Sequence, residues 1–221
     1  MSDQPHWLDR IAHDLRGPLT PMQTAAWLLK SEREQLDAQR QQELLDIIER
    51  QSRRLARMID EIDDWARMQR QRLLGETMPC ELATMLDLAI SAIPGCMIEP
   101  QLGSGCAGAS IECDQFRLVQ AFQILIEYSC ARDPDATVLV SCDDGERVEV
   151  KLLDHGGAVE AAAALKLLEQ PDNAPADEGL GLRLLLARAI VEAHGGTLVA
   201  EPTADGLLLR CRVRATRCDR A

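Results

Sequence analysis

At 221 residues the chain is long enough for one large or two small domains, each able to bury a substantial core. A formal net charge of −12 leaves no basic stripe to offset phosphate repulsion, which excludes nucleic acid as a partner class. The acid is unevenly spread, since residues 1–72 carry 12 Lys+Arg against 13 Asp+Glu and residues 73–221 carry 12 against 23, so two modules of different character are expected. No apolar run approaches the roughly 20 residues that a bilayer-spanning helix needs, and the N-terminus lacks a signal-peptide core. A membrane sensor is therefore not expected, nor an input domain if the chain starts naturally at Met1. Eight cysteines are scattered without a Cys-x-x-Cys pair, the pattern of reduced, mostly buried thiols and of a cytoplasmic chain.

A first helix is predicted from about Gln4 to Arg33, with Ser2 or Asp3 as its cap and Pro5 in its first turn. Its apolar seam runs through Leu8, Ile11, Leu15, Leu19, Met22, Ala26 and Leu29. His13 is two residues from both Ile11 and Leu15, hence about 200° around the helix from each, and its imidazole should face solvent. An exposed neutral imidazole is a usable nucleophile near pH 7, and a neighbouring carboxylate such as Asp14 can orient it or accept its second proton. Pro18 removes a backbone donor and should bend the helix one turn further on. By itself, a solvated histidine on an amphipathic helix fits the same pattern.

A polar interval at residues 31–39 separates this helix from a second, about Arg40 to Leu73, whose seam is Leu44, Ile48, Gln51, Leu55, Met58, Ile62 and Trp65. Two such helices cannot complete a core alone, so a four-helix bundle formed by a homodimer is expected, with a plain coiled-coil hairpin as the alternative. The composition shifts at Gly75–Pro79, placing one domain at 1–74 and a second at 80–216.

In the second module, helices are predicted at Glu81–Ile93, from an Asp114 cap through Phe116, Leu118, Val119, Phe122, Leu125 and Ile126, at Ala158–Leu168, and from Gly179 to His194. Thr137–Cys142 and Arg147–Leu153 form a hairpin around Asp-Asp-Gly, and Thr197–Ala200 with Leu207–Val213 close the sheet. Helices layered on one face of a mixed sheet make an α+β sandwich.

His13-Asp14-Leu15-Arg16-x-Pro18-Leu19 resembles the phosphoacceptor box of the sensor histidine kinases. Downstream, Asp114-x-x-Arg117-Leu118-x-Gln120, Leu153-Asp154-His155-Gly156-Gly157, Gly179-Leu180-Gly181-Leu182 and Ile190-Val191-Glu192-Ala193-His194-Gly195-Gly196 follow in the order of that family's ATP-binding domain, the fold shared with gyrase and Hsp90. The resemblance covers nearly the whole chain. It implies a helical hairpin followed by an α/β sandwich of the histidine-kinase ATPase type. It further implies that His13 carries a phosphoryl group, that Asp14 assists its transfer, that Asp154 and Gly156 face adenine, and that Gly179 and Gly181 cradle phosphates at a helix start. Arg16 is a candidate to neutralise the transferred group.

Several positions depart from the family. The asparagine box aligns with Ile124-Leu125-Ile126-Glu127-Tyr128-Ser129, putting Tyr128 where a magnesium ligand is expected, and a neutral phenol is a poor ligand for that hard cation. Glu127 remains as an oxygen donor. Ala158 stands where the first glycine box usually has a second glycine, the phenylalanine-containing box is absent, and residues 171–178 are short and acidic for a lid. Gly17 stands where kinases with phosphatase activity carry threonine or asparagine, so weak phosphatase activity is expected. These departures favour a phosphoryl relay through His13 between receiver domains, with no tightly bound cofactor and the magnesium supplied by the receiver. ATP with magnesium enters only in the alternative, an ATP-dependent autokinase. A non-catalytic dimer that binds response regulators is the third reading.

Overall fold

The computed structural model describes residues 4–31, 36–106, 108–143, 146–172 and 179–216. Two compact units make up the chain. One reaches to Asp63 and takes in Gly179–Gly181, and the other holds Asp64–Asp172 and the chain from Leu182.

The first unit is a helical hairpin of α1 (Gln4–Ser31) and most of α2 (Ala38–Gln69). The predicted α2 seam is correct: each of its residues from Leu44 to Trp65 is buried or half-buried, the polar Gln51 included. Helix α2 starts earlier than predicted because Asp37 caps it, accepting the Arg40 N–H at 2.7 Å. On α1 the seam shifts. The buried positions are Ile11, Pro18 and Ala25, whereas Leu19 and Ala26, predicted to face inward, are exposed. Pro18, expected only to bend the helix, also supplies apolar surface at a spacing of seven from both Ile11 and Ala25. Helix α1 continues through Pro18 and Pro21. Thr20 and Thr24 lend their hydroxyls to the Arg16 and Thr20 carbonyls in that stretch. The predicted caps Ser2 and Asp3 and most of the intervening turn lie outside the described residues.

The second unit is an α+β sandwich. Its sheet has the order β2 (Gln101–Leu102), β4 (Thr137–Asp143), β5 (Arg147–Asp154), β7 (Leu207–Arg214) and β6 (Thr197–Pro202). Only the β2–β4 pairing is parallel. A separate antiparallel pair joins β1 (Met78–Glu81) to β3 (Ser110–Cys113). Helices α4 (Gln115–Arg132) and α6 (Arg183–Ala193) pack on the sheet, α3 (Leu82–Ser91) packs on α4, and α5 (Ala161–Leu167) packs beside β6.

Strand alternation explains the layers. Val148, Val150 and Leu152 of β5 and Leu207, Leu209, Cys211 and Val213 of β7 turn inward and are at most 2% exposed. On the opposite face Glu149 pairs across the strands with Arg212 at 2.7 Å and along its own strand with Lys151 at 2.7 Å. Burial alone would raise the Glu149 carboxyl, but Lys151 and Arg212 outweigh it and hold the group below its ordinary value. A lowered folded-state pKa stabilises above the unfolded value and is lost as pH falls through the folded one. Urea unfolding should therefore show a loss of stability from about pH 5 downward that is smaller in Glu149→Gln.

Asp114 caps α4 as predicted, accepting the Arg117 N–H at 3.1 Å, and it also takes the Gly75 N–H at 2.7 Å. Asp114→Ala should cost about 1–2 kcal/mol in urea unfolding. Phe116, predicted on the apolar face, is 73% exposed, as its offset of two residues from buried Leu118 requires. Helix α5 is shorter than the predicted Ala158–Leu168. The turn predicted between β4 and β5 lies outside the described residues. No helix among those residues is long and apolar enough to cross a membrane.

Candidate functional site

His13 is exposed on α1, as its angular offset from Ile11 predicts, with Asp14 half-buried beside it and Arg16 exposed. Pro18, five residues on, interrupts the regular ladder of helical N–H donors one turn beyond His13. Nothing stands within 4 Å of a Cβ built at Gly17, and the surface beside the imidazole is open. A nucleophilic ring on a continuous helix, reachable from solvent, can accept an electrophilic phosphorus in line.

The other candidate site lies at the end of β5. Asp154 has the same parity as Val148, Val150 and Leu152, so its carboxylate points into the core face of the sheet and is 0% exposed. A buried carboxylate needs partners. It has two, making three hydrogen bonds: the Nε of Arg132, the last residue of α4, donates to both oxygens at 3.1 and 3.0 Å, and the Gly156 N–H donates to Oδ1 at 3.1 Å. Arg132 also reaches the Gly157 carbonyl at 2.9 Å and lies one turn beyond Tyr128 on the same helix face. Burial would lower the Arg132 guanidinium, and Asp154 more than offsets this. Burial pushes the Tyr128 phenol up, which keeps it neutral.

The surrounding turn is built around close backbone approach. Asp133 accepts the His155 N–H at 2.9 Å, which draws its carboxyl below the ordinary range, and the His155 ring meets Asp205 at 2.9 Å. A Cβ at Gly206 would fall 1.7 Å from the Asp154 carbonyl oxygen, so only glycine fits there.

Glu127, the oxygen donor left near the expected magnesium position, is engaged by Gln123 at 2.8 Å and by an ion pair with Arg183. With Ile124 and Tyr128 at the asparagine positions, the residues present do not fit a nucleotide-bound magnesium ion. Among the described residues no three His, Cys, Asp or Glu side chains converge as a metal site.

Gly179 and Gly181 do not open a helix as predicted. Helix α6 begins at Arg183, because Gly181 takes a φ of +75°, outside the helical region. The Leu180 N–H between them donates instead to both carboxylate oxygens of the buried Glu61 on α2, at 3.1 and 3.2 Å. A carboxylate of the chain thus stands where a phosphate oxygen was expected. Asp154 and Gly156 lie together in the sandwich, whereas Gly179 and Gly181 belong to the other unit.

Arg132, Glu61 and Arg183 were not foreseen from the sequence. A signal existed for Arg132, which lies four residues after Tyr128 and so shares its helix face.

Residues 6–71 match the His Kinase A (phospho-acceptor) domain. The sensor protein ChvG of Agrobacterium fabrum is 28% identical over 88% of this chain and 35% of its own length. The nitrogen regulation protein NtrY of Azorhizobium caulinodans is 26% identical over 90% of this chain and 27% of its own. The chain thus spans about a third of the length of these curated relatives. Among solved structures, the histidine kinase AdeS of Acinetobacter baumannii superposes with a TM-score of 0.68 at 16% identity, covering 93% of this chain and 98% of that one. The histidine kinase ThkA, solved in complex with the response regulator protein TrrA, gives 0.71 at 19% identity over 97% and 63%.

Proposed function

We propose that this chain, which belongs to the histidine kinase family, carries a phosphoryl group on His13 and relays it between receiver-domain aspartates in the cytoplasm. The imidazole nitrogen of His13 attacks the phosphorus of a receiver's aspartyl phosphate, a P–N bond forms, the P–O bond breaks and the carboxylate leaves. The reverse displacement loads a second receiver. Asp14 steadies the ring and its proton, Arg16 offsets charge on the transferred group, and magnesium arrives with the receiver. A second copy of the chain covers Leu19 and Trp27 of α1 and Leu45 and Ile59 of α2, which are 38–60% exposed in one copy, completing a four-helix bundle.

The observation that carries the relay reading is Asp154, whose carboxylate is already satisfied by Arg132 and the Gly156 N–H. Adenine recognition would have to displace a buried ion pair before forming its own hydrogen bonds. Tyr128 and the engaged Glu127 add to the case against a metal-bound triphosphate. The names of the relatives support the second reading, an ATP-dependent autokinase, since they are sensor proteins and a histidine kinase.

Calorimetric titration with ATP, with and without magnesium, separates the two. The relay reading expects no saturable heat at millimolar ATP and no acid-labile label from radiolabelled ATP, together with transfer from a phosphorylated receiver. Label from ATP that vanishes in His13→Gln establishes the autokinase instead. Receiver binding that survives His13→Ala, without transfer in either direction, leaves a docking module.

A further inference from the structure

Four of the seven described cysteines stand in two sulfur pairs within the sandwich, an arrangement that the chain's lack of Cys-x-x-Cys spacing conceals. Cys106 follows the edge strand β2 and Cys142 lies near the end of β4. The parallel pairing of Leu102 with Val140 and the Gly103 N–H on the Val140 carbonyl bring the two chain segments together. Their Sγ atoms are 2.7 Å apart, nearer than the about 3.5–4.0 Å at which non-bonded heavy atoms pack, and an approach of about 0.7 Å would make a covalent bond. We infer that Cys106 and Cys142 are an oxidative modification site, closed to a disulfide by hydrogen peroxide or a related hydroperoxide.

Cys142 is half-buried and Cys106 buried, so Cys142 meets the oxidant and Cys106 resolves it. The Cys142 thiolate attacks a peroxide oxygen, an S–O bond forms, the O–O bond breaks and one water leaves after protonation. The Cys106 thiolate then attacks the sulfenic sulfur, the S–S bond forms, the S–O bond breaks and a second water leaves. Two thiols lose two electrons in total and one peroxide becomes two waters.

The other thiols are poorer substrates. Cys96 and Cys130 are 3.7 Å apart, and burial together with Cys96 pushes the Cys130 thiol up to about 12. Cys80 and Cys113 are both buried, with Cys113 also pushed up to about 12 by burial and then by Cys80. Thiolate, the reacting form, is scarce at Cys130 and at Cys113. The bond would staple the segment after β2 to β4, closing a loop across 36 positions.

The test treats the full chain with peroxide, alkylates the remaining thiols and maps peptides. Trypsin cuts after Arg117, Arg132 and Arg147, so Cys142 leaves on a peptide with no other cysteine. The expected product is that peptide linked to the one holding Cys106, reversed by dithiothreitol, absent from Cys106→Ser and Cys142→Ser and kept in Cys96→Ser. The oxidised chain should melt roughly 5 °C higher, and Cys142→Ser should show no such rise. The inference is overturned if Cys142 passes to sulfinic acid without linking, if the link survives Cys106→Ser, or if the first disulfide to form excludes both residues. An unchanged melting temperature in the linked protein overturns the stapling.

Discussion

His13→Gln is expected to remove all acid-labile phosphate from the protein, whether the donor is a phosphorylated receiver or ATP. Glutamine matches histidine in polarity and favours helix, but its amide nitrogen is no nucleophile, so no P–N bond can form. The loss should be total, because in the proposed relay the residue forms the covalent intermediate itself. It should also leave the fold alone. The side chain is exposed on α1 and its replacement should move stability by no more than about 0.5 kcal/mol. Label retained in a variant with unchanged melting would mean that some other residue is the acceptor.

Arg132→Leu carries the second large effect. Removing the guanidinium leaves Asp154, 0% exposed, with only the Gly156 N–H, and breaking a buried pair from one side costs about 3–5 kcal/mol. Urea unfolding of the sandwich measures this. The double variant Arg132→Leu with Asp154→Asn should recover most of the loss, since a neutral amide can share the Gly156 N–H without a stranded charge. If Arg132→Leu instead matches the wild type, the ion pair is not what holds the end of β5. The same variant probes the nucleotide question. A pocket closed mainly by Arg132 should gain measurable adenine-nucleotide binding when the arginine is gone, above the protein's unfolding limit.

Much of this was legible in the chain itself. The α2 seam was read correctly because Leu44 to Trp65 alternate at steps of four and three with only Gln51 intervening. Strands β4 to β7 were found because β-branched and leucine residues alternate with charges between turn residues. Strands β1 and β3 were missed, being four residues each and broken by Pro79, Cys80 and Glu112, too short for a period to register. The exposed imidazole of His13 followed from its angle on the helix, a local property. The state of the second site did not, because the Arg132–Asp154 pair joins residues 22 apart and depends on where α4 ends over β5. The parity of Asp154 with Val150 and Leu152 could have announced a buried carboxylate in need of a cation.

The order of strands in the sheet bears on how the protein behaves in a crowded solution. Its outer members are β2, only two residues long, and β6, which closes on Pro202 after the charged Glu201. A neighbour seeking to extend the ladder would find almost no free rung on one border and a missing amide on the other. Strand addition is thereby discouraged on the β2 margin and at the Pro202 end of β6.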